Sequence, residues 1–331
     1  MTDKLITMAH GSGGRSTGEL IKEVFAQAFD NPVLDQMEDS AVVDGAGKIA
    51  MTTDSFVVTP SVYKGGDIGR LCICGTVNDL LMRGARPKYI TCGFILEEGA
   101  DIELLKKVVA SMAETAREAS VIIVAGDTKV VEGKGEIYIN TAGVGFVDEG
   151  VDISSANACP GDLIIVSGNL GDHHAAILSE RMSIATSIES DNAPLTDMTL
   201  KLIDNGIRIH TLRDITRGGL GTVAKELAES SGTGFEIEEN SIPVNPMVKD
   251  FCALLGLDPI YMGNEGKLLA IVDSEDADRA LEIIRNSKYG ENACIVGRVC
   301  ADHPGQVVLN TEIGGKRFID ILQGQGLPRI C

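Results

Sequence analysis

Tryptophan is absent from this 331-residue chain, and aromatic residues make up only 4% of it. Platforms that stack single-stranded nucleic acid need aromatic faces, so the composition argues against them. Basic residues are also in short supply: 29 Lys and Arg stand against 48 Asp and Glu, a net charge of −19. A surface of that sign repels a phosphate backbone. Nucleotides stay open, because carboxylates can hold Mg²⁺ and Mg²⁺ can hold phosphates. No apolar run approaches the roughly 18 residues of a membrane span, and Met1-Thr2-Asp3-Lys4 lacks the regions of a signal peptide. The expected compartment is the cytoplasm, where the eight cysteines stay reduced.

Local metal and nucleotide signatures are missing too. Cys72-x-Cys74 is the only close cysteine pair, and no CxxC or Cys/His finger spacing occurs, which argues against a structural zinc site. Gly47-Lys48, Gly133-Lys134, Gly266-Lys267 and Gly315-Lys316 are never followed by Ser or Thr, so no Walker A loop exists. No full Gly-x-Gly-x-x-Gly follows a strand. The adjacent pair His173-His174 has no third ligand spaced nearby and reads as a turn or helix start.

What is present belongs to a globular protein long enough for two domains, with 44% hydrophobic and 23% charged residues. The cluster His10-Gly11-Ser12-Gly13-Gly14 is too rich in glycine for a helix interior and reads as a loop with exposed amides. Leu20, Ile21, Val24, Phe25 and Ala28 then share one helical face. Strands are expected at 48–53, ending at Asp54, at 89–95, and at 121–125, ending in Gly126-Asp127-Thr128-Lys129. Between them, 68–82 suits a helix carrying Asn78 and Asp79, stopped by Gly84 and Pro87. Asp101 is a plausible N-cap for a helix whose apolar positions are Ile102, Leu105, Val109, Met112 and Ala116. A second unit starts after Cys159-Pro160-Gly161, with strands at 162–167, 235–238, 267–272 and 294–299 and helices at 216–229 and 276–284. Both halves mix strands and helices, which predicts two α/β domains with a boundary near 150–160.

Aspartate recurs where an apolar strand ends or glycine follows: Asp39, Asp54, Asp79, Asp127 and Asp214. Clustered carboxylates raise one another's pKa unless a cation intervenes, and Mg²⁺ shared with phosphates is the natural cation. At the other end of the chain stands Gly324-Gln325-Gly326-Leu327-Pro328-Arg329-Ile330-Cys331, which reads as a flexible arm carrying an accessible thiol.

Six segments together resemble the HypE family of NiFe-hydrogenase maturation factors. They are His10-Gly11-Ser12-Gly13-Gly14, Cys74-Gly75-Thr76-x-Asn78-Asp79, Gly126-Asp127-Thr128-Lys129-Val130-Val131, Asp214-x-Thr216-Arg217-Gly218-Gly219, Asn264-Glu265-Gly266-Lys267 and Pro328-Arg329-Ile330-Cys331. The resemblance spans nearly the whole chain in order. It implies the two-domain α/β (α+β) fold of aminoimidazole ribonucleotide synthetase and its relatives, with N-terminal domains paired into a dimeric β-barrel and ATP between domains. The implied division is a glycine loop and helix at 1–36, an ATP-binding and dimerisation domain at 37–150, a second domain at 151–312 and a flexible tail at 313–331. On the matched motifs, Gly11, Ser12, Gly13, Gly14, Asn78, Asp79, Asp127 and Thr128 would bind the nucleotide. Asp39, Asp54, Asp79, Asp127 and Asp214 would hold Mg²⁺.

The implied activity is ATP-dependent dehydration of a carbamoyl group on Cys331 to a thiocyanate, with Glu265 as the base and Lys129 orienting the reacting group. The carbamoyltransferase HypF would load the thiol, and the HypC–HypD complex would accept the cyanide. Two other readings stand beside this one. The chain could be a kinase or amidine-forming synthase acting on a free small molecule, or a non-catalytic assembly module.

Overall fold

A computed structural model describes residues 5–11, 15–36, 43–45, 47–322 and 331. Near the start, α1 (Arg15–Leu20) continues through a wider turn (Ile21–Ala26) into α2 (Gln27–Phe29). Leu20, Val24, Phe25 and Phe29 are buried, which follows the three-and-four spacing of the sequence.

The N-terminal sheet contains β1 (Lys48–Phe56), β4 (Ala85–Glu97), β5 (Ile122–Val131) and β6 (Ile137–Val147) in the order β1-β6-β4-β5. Its pairs are antiparallel except β4 with β5. A short ladder of β2 (Val62–Tyr63) and β3 (Gly66–Asp67) leads into α3 (Ile68–Met82), and α4 (Ile102–Ala119) makes the crossover that the parallel pair requires. Strands β1 and β5 run on beyond Asp54 and Asp127 to Phe56 and Val131. Both aspartates therefore lie inside strands rather than at the ends expected for them. Their neighbours keep the ladder hydrogen bonds going through both positions, and a charged side chain on either face of the sheet does not interrupt backbone pairing.

Helix α3 is the shared wall of the molecule. The Asp67 side chain caps it by accepting from the Arg70 N–H at 2.8 Å. Nearly every residue from Ile68 to Met82 is buried, as expected for a mostly apolar helix packed on several sides, and its polar Asn78 is hydrogen-bonded. A Cβ at Gly69 would lie 2.2 Å from the Val108 carbonyl oxygen, so only glycine lets α3 touch α4 there. The α4 cap is Asp101, which accepts from the Glu103 N–H at 2.7 Å.

The second unit contributes β7 (Leu163–Val166), α5 (Asp172–Arg181), α6 (Thr196–Asp204), β8 (Ile209–Asp214), α7 (Gly219–Ser231), β9 (Gly234–Glu238) and α8 (Pro246–Leu255). It continues with β10 (Leu268–Val272), α9 (Ala277–Arg285), β11 (Cys294–Cys300), β12 (Val307–Asn310) and β13 (Lys316–Ile319). The seven strands form one sheet in the order β13-β12-β9-β11-β7-β10-β8. The edge strand β13 falls within the stretch assigned to the tail, because its ladder with β12 gives Lys316–Ile319 a place in the sheet.

One apolar cluster runs from Leu71, Ile73, Val77 and Leu81 on α3 into Leu195, Met198, Leu212 and Leu268 of the second unit. A second lies under α7, with Leu220, Val223 and Leu227 against Phe235, Ile271 and Val299. Each fully buried Leu or Ile contributes about 1.5–3 kcal/mol. The continuous cluster thus joins both halves firmly along α3. Among the described residues no helix is long and apolar enough to cross a membrane.

Candidate active site

Where α3 meets β8, a cleft of about 440 Å³ opens between the halves. Its lining includes four carboxylates (Asp54, Asp79, Asp214, Glu265), the guanidinium groups of Arg213 and Arg217, and the thiol-bearing Cys331.

Strand alternation selects the first contributors. Met51 and Thr53 face solvent, so Thr52 and Asp54 turn toward α3. There the Thr52 hydroxyl donates to Asp79 Oδ2 at 2.8 Å. Gly75 lies one helical turn before Asp79, on the same face. A Cβ at Gly75 would sit 2.8 Å from the Phe56 ring and 3.5 Å from Asp54 Oδ2, so glycine lets β1 close on the helix.

The second half supplies Asp214 and Glu265 through one ladder. Asp214 pairs with Leu268 across β8 and β10. The ladder extends past both strands through Ile215 N–H to the Lys267 carbonyl at 2.9 Å and Asn264 N–H to the Ile215 carbonyl at 3.0 Å. The Glu265 N–H donates to Asp191 Oδ1 at 3.1 Å, and Asp191 Oδ2 forms an ion pair with Lys267 Nζ at 3.3 Å. Oδ2 has no hydrogen-bond partner, so the pair holds by charge rather than by alignment. A Cβ at Gly266 would lie 1.9 Å from the Asp191 carbonyl, which fixes glycine in that turn.

Electrostatics set this group apart. Burial pushes the Asp54 and Asp79 carboxyls up, and Asp54 raises Asp79 further. Desolvation followed by the charge of Asp79 pushes Asp214 up to about 7. Glu265, only 5% exposed, is driven well above the ordinary carboxyl range by burial, then by Asp214, Asp191 and Asp54. Arg217 opposes the rise at both Asp54 and Glu265. Repelling carboxylates raised in this way provide the oxygen donors that a divalent cation takes. Among the described residues, no three of the cleft carboxylates bring oxygens within 4.8 Å of one another. Such spacing suits an ion that keeps waters and phosphate oxygens among its ligands, as Mg²⁺ does.

Other expected site residues lie elsewhere. Register puts Asp127 beside Gly93 and Lys129 beside Ile95, on the sheet face opposite α3, while Asp54 belongs to the row Thr141, Cys92, Gly126 on the helix side. Asp127 and Lys129 form an exposed ion pair at 2.5 Å, and neither lines the cleft. Thr128 sits between them, next to Phe94. Asn78 is buried with its amide engaged by the second half: Nδ2 donates to the Ala193 carbonyl at 3.1 Å, and Oδ1 accepts from the Leu195 N–H at 2.9 Å. It pins the cleft wall, and it is not among the residues lining the cleft. Gly11 ends a short turn (Met8–Gly11). Ser12, Gly13, Gly14 and Asp39 lie outside the described residues. His173 and His174 occupy the first turn of α5 and are buried.

Three functional positions escaped the residue-level reading. Arg217 stands in a motif already singled out but carried no role. Thr52 and Asp191 show no local signal, since their importance comes from what the fold places opposite them.

This architecture defines a class. Models for the N-terminal and C-terminal domains of AIR synthase related proteins match residues 37–147 and 159–310. Carbamoyl dehydratase HypE of Rhodobacter capsulatus is 44% identical over 339 aligned positions, covering 100% of this chain and 99% of that protein. A solved structure of hydrogenase maturation protein HypE in complex with ATP is similar with a TM-score of 0.95 at 45% identity, covering 98% of this chain and 99% of the other. A HypE–HypF complex structure gives 0.80 at 48% identity, over 92% and 99%. The chain belongs to the HypE family.

Proposed function

We propose that this protein is an ATP-dependent carbamoyl dehydratase of NiFe-hydrogenase maturation, acting on a carbamoyl group carried by its own Cys331. The observation that carries the reading is the placement of Cys331 in one cleft with Asp54, Asp79, Asp214, Glu265 and Arg217. The name of the 44% identical relative supports it.

The chemistry balances as follows. The carbamoyl oxygen attacks the γ-phosphorus of ATP and ADP departs. Loss of both N–H protons and of the phosphorylated oxygen then leaves S–C≡N, with phosphate and one proton as the other products. Asp54, Asp79 and Asp214 would hold Mg²⁺, which when bound would neutralise phosphate charge. The chain's own residues do the rest. Glu265 is desolvated, faces the thiol's cleft and accepts a proton from nitrogen, and Arg217 opposes the rise that burial and the neighbouring carboxylates impose on it. Alignment of the tethered group supplies most of the remaining advantage.

Asp127, Thr128 and Lys129 serve a second copy of the chain. They lie on or beside the open face of the N-terminal sheet, which also exposes Ile49, Met51, Ile95 and Val131. A homodimer formed over that face buries these apolar residues and carries Lys129 toward the partner's cleft. HypF loads Cys331, as the HypE–HypF complex of the relative suggests, and HypC–HypD takes the cyanide. The buried thiols Cys72, Cys74, Cys92 and Cys252 suit the reducing cytoplasm.

The test is mass measurement of the Cys331 peptide after incubation with HypF, carbamoyl phosphate and Mg-ATP. The expected result is a carbamoyl adduct that loses water only when ATP is present. ATP turnover that requires a diffusible acceptor and ignores Cys331→Ala would replace this reading with a small-molecule kinase or synthase.

A further inference from the structure

We propose that Cys159, Asp162 and His210 form a binding site for a borderline divalent cation of the zinc class, outside the nucleotide cleft. Each offers one donor atom, and the three donors lie within 4.8 Å of one another. Cys159 and Asp162 share one turn while His210 lies 48 residues from Asp162, so spacing rules for cysteine and histidine pairs pass over them. The fold brings them together where the turn before β7 faces β8.

The turn is held rigidly. Asp162 N–H donates to the Cys159 carbonyl at 3.1 Å, and Gly161 N–H donates to the Val299 carbonyl of β11 at 2.9 Å. Gly161 has a φ of +105°, a conformation that glycine supplies readily. The carboxylate of Asp162 is fixed by the Cys159 N–H at 2.8 Å and by His210 Nδ1 at 2.7 Å, both on Oδ2. A cation entering the cluster would replace the hydrogen between His210 Nδ1 and Asp162 Oδ2, so that both atoms become ligands and that proton leaves to solvent. Cys159 is exposed, and its thiol contacts the Asn157 carbonyl at 3.3 Å. Metal binding would release that thiol proton to solvent as a sulfur–metal bond forms.

The donor set selects the ion. Thiolate and imidazole favour zinc and its neighbours, whereas Mg²⁺ and Ca²⁺ want oxygen alone. Metal bonds of about 2.0–2.3 Å put donors roughly 3.3–3.7 Å apart, an adjustment that rotation of the exposed Cys159 side chain can supply. A chain of net charge −19 attracts the cation. Such an ion would tie the start of β8 to the turn before β7, and β8 ends at Asp214 in the cleft.

Cobalt titration of the intact chain tests the site, because a cobalt–thiolate bond absorbs in the near ultraviolet and a carboxylate site does not. The expected result is a charge-transfer band saturating at a single equivalent, absent from Cys159→Ala and weakened about tenfold or more in apparent affinity by His210→Ala. Cys331→Ala should keep the band, since its thiol lies among the cleft carboxylates and is the competing source. Cys159→Ser serves as a second variant, and melting of the metal-free proteins checks that both fold. No band in the intact chain, a band surviving Cys159→Ala, an unchanged affinity in His210→Ala, or a band lost in Cys331→Ala would each overturn the proposal.

Discussion

On the helix-covered face of the N-terminal sheet, Asp54 and Asp79 crowd toward Asp214 and Glu265, and burial raises all four carboxyls. On the open face, Asp127 stands in water beside Lys129, whose hydrogen bond holds its carboxyl below the usual range. The two faces use the same residue type in nearly the same context, an aspartate following an apolar stretch of strand. Alternation along the strand separates them: the Asp54 row points inward, and the next row points out. One face stores repulsion that a cation can relieve, and the other offers a neutralised pair ready to meet a partner.

The sharpest way to break this contrast is to remove the base from the buried side. Glu265→Gln keeps shape and loses proton acceptance, so thiocyanate formation should fall by about 10²–10⁴-fold. Carbamoylated Cys331 should accumulate in the mass spectrum while Mg-ATP still binds by calorimetry. A normal rate would make Glu265 structural.

The open face is tested by mixing. Asp127→Asn should be inactive alone if it serves the partner's cleft. Co-assembly of Asp127→Asn with Glu265→Gln chains should restore about a quarter of wild-type activity, since half the dimers are mixed and each has one intact site. If Asp127 worked within its own chain, no mixture would recover.

Stability separates the faces by pH. Asp214 is raised from the ordinary 3.8 to about 7 in the ligand-free fold. Its protonated form therefore contributes stability that is full below pH 3.8 and lost as pH rises through about 7. Asp214→Asn mimics that form permanently. It should melt with the wild type in acid and above it beyond about pH 7, and Mg-ATP should stabilise only the wild type. Asp127→Asn should show no gain in alkali, because its carboxyl is lowered rather than raised.

The smallest expected effect comes from Asp191→Asn. Its oxygen still accepts from the Glu265 N–H, but the charge that helps to raise Glu265 is gone. The acid limb of the pH–rate profile should move to lower pH, with the maximum rate changed by less than about tenfold. An unmoved limb would show that Asp191 only shapes the turn.

Much of this was legible beforehand, for reasons that differ from residue to residue. Helix α3 could be read from its run of mostly apolar residues carrying Asn78 and Asp79 and its stop at Gly84, and α4 from Asp101 and its spacing. Cys331, Asp54, Asp79, Asp214 and Glu265 were all singled out, and they share the cleft. Asn78 was matched by its motif, and a motif does not record which way an amide points; here the amide bonds Ala193 and Leu195 of the second half. Asp127 and Lys129 were grouped with the others because strand ends were placed too early, and the face a residue takes depends on register that a local reading does not contain. Arg217, Thr52 and Asp191 act through contacts across the fold, and β13 was lost to the tail because a four-residue edge strand has little pattern of its own.

The attachment of Leu322 has a consequence for kinetics. Its N–H donates to Thr222 Oγ1 at 3.3 Å, a few residues from Arg217, so the chain is moored beside the cleft it serves. From that mooring, the covalent reach to Cys331 is at most about 30 Å. The reacting group then never dilutes, because the covalent chain keeps it within that distance of the cleft. Dehydration should follow first-order kinetics whose rate constant ignores protein concentration, while loading and unloading remain second-order encounters. Any enzyme that loads the thiol must bring its own active site within that covalent distance of Thr222.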